Sequence, residues 1–224
     1  MKKHTSPPLK TGFVVLLHGI LRSRTDMLPL SRYLKKRGYE TINILYPSRK
    51  KNIEDLTAFV DEKIRTAKNY SDSMPLHFVT HSMGGLIARY YIASRKPKNL
   101  GRVVMLAPPN GGSEFADFLT DHKRLSPIFE KLFGPASGQL VTGYKHLDGA
   151  IDYPLGIIAG NRSINPLAPW ILPGEHDGIV PVERTKIDGM RDHIVVPSTH
   201  TFMMFRPAVM RQVAHFLEEE KFKR

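Results

Sequence analysis

The sequence predicts an α/β protein built on a mainly parallel sheet, and three features predict it. Short, continuous apolar and β-branched runs recur along the chain. Amphipathic stretches with helical spacing separate them. A serine stands at one strand-to-helix turn, in Phe78-Val79-Thr80-His81-Ser82-Met83-Gly84-Gly85. Strands buried on both faces read as near-continuous apolar runs. Their alternation with helices of roughly 10–15 residues implies right-handed crossovers and parallel pairing.

The elements follow in order. Phe13 to Leu17 is a strand, all apolar. Asp26 to Arg37 has helical spacing at Leu30, Tyr33 and Leu34, with Gly38 where a C-terminal cap belongs. Tyr39 to Leu45 is the next strand, and Ile53 to Tyr70 a long helix with Ile53, Leu56, Phe59, Val60 and Ile64 on its apolar face. Leu76 to Thr80 is a strand, Met83 to Ser94 a helix and Val103 to Leu106 a strand. The rhythm then breaks over 113–152, where Phe115 to Leu119 and Leu125 to Phe133 read as two short helices and Gly134 to Gly138 as a loop. This segment is expected to be an insertion over the sheet, a candidate lid or cap. Leu155 to Ala159 and Asp192 to Val196 are the last strands, and Ala208 to Glu219 is a final amphipathic helix.

Composition narrows the classes. A chain of 224 residues reads as one domain with at most an insertion, long enough for a sizeable core. Hydrophobic residues at 41% and charged residues at 24% exclude a disordered or fibrous chain. The absence of cysteine excludes disulfides, thiol nucleophiles and thiolate metal sites, and leaves the redox compartment undetermined. The two lysines at Lys2 and Lys3 are followed by no apolar signal region, and no run approaches the ~18 apolar residues of a spanning helix. A soluble and, by default, cytoplasmic protein is expected. The net charge of +12 admits attraction to an anionic membrane surface, an anionic substrate or nucleic acid. Most of the basic residues, such as those from Arg32 to Arg37, fall where helices show a solvated face. No nucleic-acid-binding signature accompanies them, so no nucleic-acid partner is expected.

The chemistry centres on Ser82. A sharp turn after a strand lifts a serine oxygen clear of the sheet, and small neighbours let the following helix approach. The helix N-terminus supplies backbone donors where an oxyanion forms. The usual pattern is Gly-x-Ser-x-Gly. Here Thr80 replaces the first glycine, while Gly84 and Gly85 keep the second half. A plain serine cap is the competing reading of such a turn. His18-Gly19-Ile20-Leu21 follows the first strand, and glycine permits a tight turn that aims the next amide into the site. The amides of Ile20 and Met83 are therefore the candidate oxyanion donors. The imidazole of His18 itself reads more simply as a structural group. An acid and a base must come from the carboxyl ends of later strands. Asp177, before Gly178, is the best-placed acid, ahead of Glu175, Asp148, Asp152 and Asp188. His200, just beyond the last strand, is the best-placed base. His193 lies at the wrong end of that strand and His215 inside the last helix.

Together these segments resemble the α/β-hydrolase superfamily, and within it the bacterial lipases and related small lipase- and esterase-like hydrolases. His18-Gly19-Ile20 is similar to the lipase oxyanion segment, Thr80 to Gly85 to the nucleophile elbow, and Leu106 to Ser113 to the loop that borders the acyl site. Asp177 to Val182 resembles the acid segment and Thr199-His200 the base segment. The resemblance runs from Phe13 to Leu217 and implies a minimal sheet of about six strands with helices on both faces. It implies a Ser82-His200-Asp177 triad cleaving carboxylic esters through an acyl-enzyme, with no metal or cofactor. His18, Gly19, Leu21, His81, Pro109 and Asn110 are expected at the substrate, a small-molecule or lipid acyl ester. Phe115, Phe118, Leu119, Leu125, Ile128, Phe129 and Phe133 are candidates for an acyl-pocket wall, as is Trp170. An acyltransferase or thioesterase using the same triad, and a non-catalytic binding member of the fold, stay open.

Overall fold

The computed structural model describes residues 11–123, 125–147 and 150–224. Six strands form one sheet: β1 (Phe13–Leu17), β2 (Glu40–Ile44), β3 (Leu76–His81), β4 (Leu100–Leu106), β5 (Leu155–Gly160) and β6 (Asp192–Val196). Their order is β2-β1-β3-β4-β5-β6, and every neighbouring pair is parallel. The helices are α1 (Leu28–Lys35), α2 (Ile53–Arg65), α3 (Met83–Arg95), α4 (Glu114–Asp121), α5 (Ser126–Phe133), α6 (Ala168–Ile171), α7 (Val182–Thr185) and α8 (Pro207–Glu219).

Successive side chains of a strand point to opposite faces, so a strand covered on both sides must be apolar at every position. β1 shows this directly. Phe13, Val15 and Leu17 join one core with Ile53, Leu56, Val60 and Ile64 of α2 and Leu86 and Ile87 of α3. Val14 and Leu16 join a second core with Leu30 and Leu34 of α1 and Val213, Phe216 and Leu217 of α8. The chain steps from β1 outward to β2 and returns to β3 on the other side of β1. The strand order therefore reverses between β1 and β3, and the carboxyl ends of those two strands flank the crevice where open α/β sheets bind ligands.

Several boundaries differ from the sequence reading. The helix expected to reach Tyr70 ends at Arg65. Asn69 takes φ +66, which turns the chain back so that Tyr70 meets Phe13 edge-on at 5.3 Å. The expected loop after Phe133 is instead a 3-10 turn over Pro135–Gln139, opened by Pro135 and closed by the Ser137 hydroxyl on the Gly134 carbonyl at 2.7 Å. The segment 113–152 is fastened to α2 and to itself through Gln139. The Gln139 side chain accepts from the Ile53 amide at 2.7 Å and donates to Glu54 and the Tyr144 hydroxyl, both at 2.9 Å.

Two predictions follow from the packing. Phe216 is fully buried against β5, where a Cβ on Gly156 would lie 2.6 Å from its ring. Phe216→Ala should cost about 3–5 kcal/mol in denaturant unfolding, whereas Trp170→Ala, at an exposed position, should stay within about 0.5 kcal/mol. His77 is buried with Nδ1 accepting from the Arg102 amide at 2.8 Å. Burial, then the Arg102 charge, pushes it down to about 4. Because the unfolded chain takes up this proton first, the stabilisation is present above about pH 6.5 and is lost as pH falls toward 4. It amounts to at most about 3 kcal/mol, and unfolding free energies measured across that window should fall less steeply in His77→Gln.

Candidate active site

β3 ends at His81, α3 begins at Met83, and Ser82 between them has φ 54 and ψ −128. Such a backbone costs a non-glycine residue roughly 1–3 kcal/mol and persists only when its surroundings over-determine it. Here the Ser82 amide donates to the Leu106 carbonyl at 2.9 Å, and the Gly85 amide donates to the Ser82 carbonyl at 2.8 Å. α3 is pressed against the end of β1: a Cβ on Gly84 would lie 2.7 Å from the Leu17 oxygen and 2.8 Å from the His18 oxygen. A Cβ on Gly85 would meet Pro108 at 3.0 Å and the Thr80 hydroxyl at 3.4 Å, so Gly85 makes the room that Thr80 fills. Ser82 stands at the N-cap position, but its hydroxyl makes no capping bond.

That hydroxyl faces His200 instead. Ser82 Oγ is 3.0 Å from His200 Nε2, and His200 Nδ1 is 2.7 Å from Asp177 Oδ2. All three residues are buried. Asp177 Oδ1 accepts from the amides of Ile179 at 3.0 Å and Val180 at 2.8 Å. An ionised carboxylate only accepts, so Nδ1 carries the proton and Nε2 is left to accept from the serine. The His200 amide also donates to the Asp177 carbonyl at 3.0 Å, which ties the two loops together. The loops meet over Gly160 at the end of β5, where a Cβ would lie 2.4 Å from the Ser198 oxygen and 2.9 Å from Asp177 Cβ. His81 holds His200 from behind, with Nε2 donating to the His200 carbonyl at 2.9 Å. Its burial pushes it well below the usual histidine range, so it is neutral and does not repel an imidazolium on His200. A hydroxyl, an imidazole and a carboxylate so aligned allow proton transfer from serine to histidine as the oxygen attacks.

The turn after β1 passes over this serine. A Cβ on Gly19 would lie 3.1 Å from Ser82 Cβ and 3.0 Å from His81 Nδ1. The Arg22 amide closes the turn on the Gly19 carbonyl at 3.2 Å, and Leu21 takes φ 57. Met83 is the first residue of α3, so its amide has no acceptor within the helix and lies at the positive end of the dipole. Above Ser82 opens a cavity of about 350 Å³ lined mainly by apolar groups, among them Ile20, Leu21, Pro109, Phe115, Leu119, Phe129 and Phe133.

Other expected residues lie elsewhere. His18 is outside the cavity lining: its ring stacks on Tyr46 at 4.0 Å, and its Nδ1 is 2.8 Å from the Gly19 oxygen. Asn110 is turned aside, accepting from Arg89 at 3.2 Å and donating to the Thr185 carbonyl at 2.8 Å. Gly19 serves by closeness to Ser82 rather than by lining the cavity, whereas His81 does line it. Phe118, Leu125 and Ile128 are not part of the wall, because the segment 113–152 turns only one face inward, and Trp170, on α6, is 88% exposed. Of the rival acids and bases, Asp148 lies outside the described residues, Glu175 is exposed, His193 pairs with the Thr185 hydroxyl at 3.0 Å, and His215 pairs with the Lys221 carbonyl at 2.8 Å. The sequence reading did not name Arg22, Ser113, Ala116, Leu140, Ile179, Val180 or Thr201 individually as lining residues. Ile179 and Thr201 were within reach, since each lies within two residues of Asp177 or His200. Ser113, which donates to the Ile179 carbonyl at 2.6 Å, ends the Leu106–Ser113 loop that the resemblance sets beside the acyl site, and Leu140 carried no local signal. Among the described residues no group of acids and histidines is arranged to hold a metal ion, and no helix is long and apolar enough to cross a membrane.

Known proteins resemble this chain at three levels. Residues 8–118 match the family described as "Putative serine esterase (DUF676)". "Triacylglycerol lipase 2" of Saccharomyces cerevisiae is 25% identical over 123 residues, which are 51% of this chain and 38% of the yeast protein. The chain thus spans about two fifths of that relative's length. The mature form of the Bacillus licheniformis lipase BlEst2 superposes with a TM-score of 0.74 at 19% identity, covering 97% of this chain and 94% of that one. The RedJ thioesterase of the prodiginine pathway of Streptomyces coelicolor superposes with a TM-score of 0.60 at 15% identity, covering 96% and 92%. At such identities the two superpositions carry the fold.

The crowding at Gly160 makes a prediction about the hydrogen-bonded line. In Gly160→Ala the added methyl displaces Ser198 or Asp177, so the low-field proton resonance of the His200–Asp177 hydrogen bond should move or vanish in the NMR spectrum. An unchanged resonance would contradict the packing described above.

Proposed function

Taking this chain as an α/β-hydrolase of the lipase and esterase type, we propose that it cleaves carboxylic esters through an acyl-enzyme on Ser82. The observation that carries the reading is the continuous Ser82–His200–Asp177 hydrogen-bonded line at the floor of an apolar cavity. His200 Nε2 takes the hydroxyl proton as Ser82 Oγ bonds to the ester carbonyl carbon. Asp177 keeps the imidazole in the Nδ1–H form and stabilises the imidazolium. The carbonyl oxygen becomes an oxyanion held by the amides of Ile20 and Met83, a contribution of ~3–4 kcal/mol per donor in other enzymes. His200 then returns the proton to the departing alkoxide, which leaves as the alcohol. Water, deprotonated by His200, attacks the acyl-enzyme and frees the acid and Ser82.

The cavity favours an apolar acyl group, with Phe115, Leu119, Phe129 and Phe133 of the 113–152 insertion as its wall. The yeast relative's name agrees with an acyl ester substrate. A thioester substrate is the second reading. It is favoured by the fold shared with RedJ and uses the same serine, histidine and acid.

The test is labelling by a fluorophosphonate probe together with hydrolysis of a series of p-nitrophenyl esters. Wild-type protein should label and turn over. Ser82→Ala should not label, and its turnover should fall about 10⁴-fold or more with the fold retained by circular dichroism. Asp177→Asn should lose about 10⁴-fold in kcat. Full turnover in Ser82→Ala would overturn the reading.

A further inference from the structure

A rim of segments adjoining the cavity lining carries exposed apolar side chains that the catalytic reading does not use. The segment 161–172, between β5 and Asp177, exposes Ile164 at 69%, Leu167 at 53% and Trp170 at 88%. It is a built platform rather than a loose loop. Ala168 and Leu172 are buried one helical turn apart, and the Leu172 amide donates to the Ala168 carbonyl at 2.8 Å. The Asn165 side chain accepts from the Leu167 amide and donates to the Gly178 carbonyl, both at 3.1 Å. With Ala168 and Leu172 facing inward, Trp170 is turned to solvent. α6 lies against α4, whose Phe115 and Leu119 line the cavity. Also on the rim, Phe202 (50%) and Phe205 (37%) follow Thr201, itself a lining residue. The exposed apolar groups therefore stand on segments that adjoin those lining the cavity.

We propose that this rim, with Trp170 at its centre, docks the protein onto the surface of anionic phospholipid bilayers. Docking goes beyond the esterase reading and does not depend on it. Three observations favour a lipid surface as occupant. An indole held out by a rigid turn suits the bilayer interface, where amphipathic aromatic rings settle. Exposed cations stand beside the apolar groups: Arg162 before Ile164, Arg206 after Phe205, and Lys123 after α4. Glu175 and Asp121 are exposed acids nearby, but the whole chain carries +12, so the field favours an anionic surface. These segments also adjoin those that line the apolar cavity, so a bilayer seated on them lies beside its opening.

Trp170 is the only tryptophan among the 224 residues, so the intrinsic emission of the full chain reports on this surface. The protein is titrated with vesicles of phosphatidylcholine alone and of phosphatidylcholine with phosphatidylglycerol. The expected result is a blue shift with the anionic vesicles, quenching of that emission by brominated lipid, and weakening of both as salt rises. Leu167→Asp should weaken vesicle binding by roughly tenfold while leaving hydrolysis of a water-soluble short ester unchanged. Emission that does not move although the protein floats with vesicles would assign binding to another face. Absence of flotation and of any shift would exclude a bilayer as the occupant. A blue-shifted emission before lipid is added, with a dimer in sedimentation velocity, would assign the patch to a second copy. Each of these three results overturns the proposal. Loss of ester hydrolysis in Ser82→Ala leaves vesicle binding untouched, so the two readings fail separately.

Discussion

The contact between Gly84 and the carbonyl end of β1 is the constraint from which the rest of the site follows. With no side chain at Gly84, α3 can start directly against the Leu17 and His18 oxygens. That approach leaves one residue, Ser82, to turn the chain from strand to helix, and only a positive φ makes the turn that tight. Any Cβ at Gly84 would lie 2.7 Å from the Leu17 oxygen, so helix and strand could not keep this approach. The strand order places this contact at the reversal between β1 and β3, so the crevice, the helix N-terminus and the turn after β1 coincide.

The β1 end is itself held from below. Tyr46 stacks on His18, and its hydroxyl donates to the His18 carbonyl. Burial pushes the Tyr46 phenol far up, so it remains a donor at all working pH values. The His18 oxygen is thus pinned by a phenol on one side and by α3 on the other. His81 does the same for the base: its neutral ring fixes the His200 carbonyl while its Nδ1 edge closes on Gly19. Two of the histidines here hold backbone carbonyls or stack on a neighbour, and the third, His200, stands between Ser82 and Asp177. Burial and partners, not residue type, separate them.

Much of the fold was legible because a sheet covered on both faces leaves a plain mark: continuous apolar runs such as Phe13–Leu17 separated by amphipathic helices. The meeting of Ser82, Asp177 and His200 was legible because the segments that follow β3, β5 and β6 all leave one edge of a parallel sheet. What stayed hidden depends on contacts between distant segments. The end of α2 is decided by Tyr70 returning to Phe13, which no local pattern records. Gly160 reads as an ordinary strand end until β6 and the acid loop close over it. Asn110, beside a cavity residue in sequence, is drawn off by Arg89 and Thr185. Thr80, which departs from the usual glycine, is accommodated by Gly85, a compensation invisible until the helix is in place.

The central claim is that Ser82 becomes acylated. The most direct measurement is peptide mapping by mass spectrometry after acid quenching of turnover on a slowly released ester. The account predicts an acyl mass on the peptide bearing Ser82, absent in Ser82→Ala. Turnover accompanied by an adduct on any other residue would contradict it.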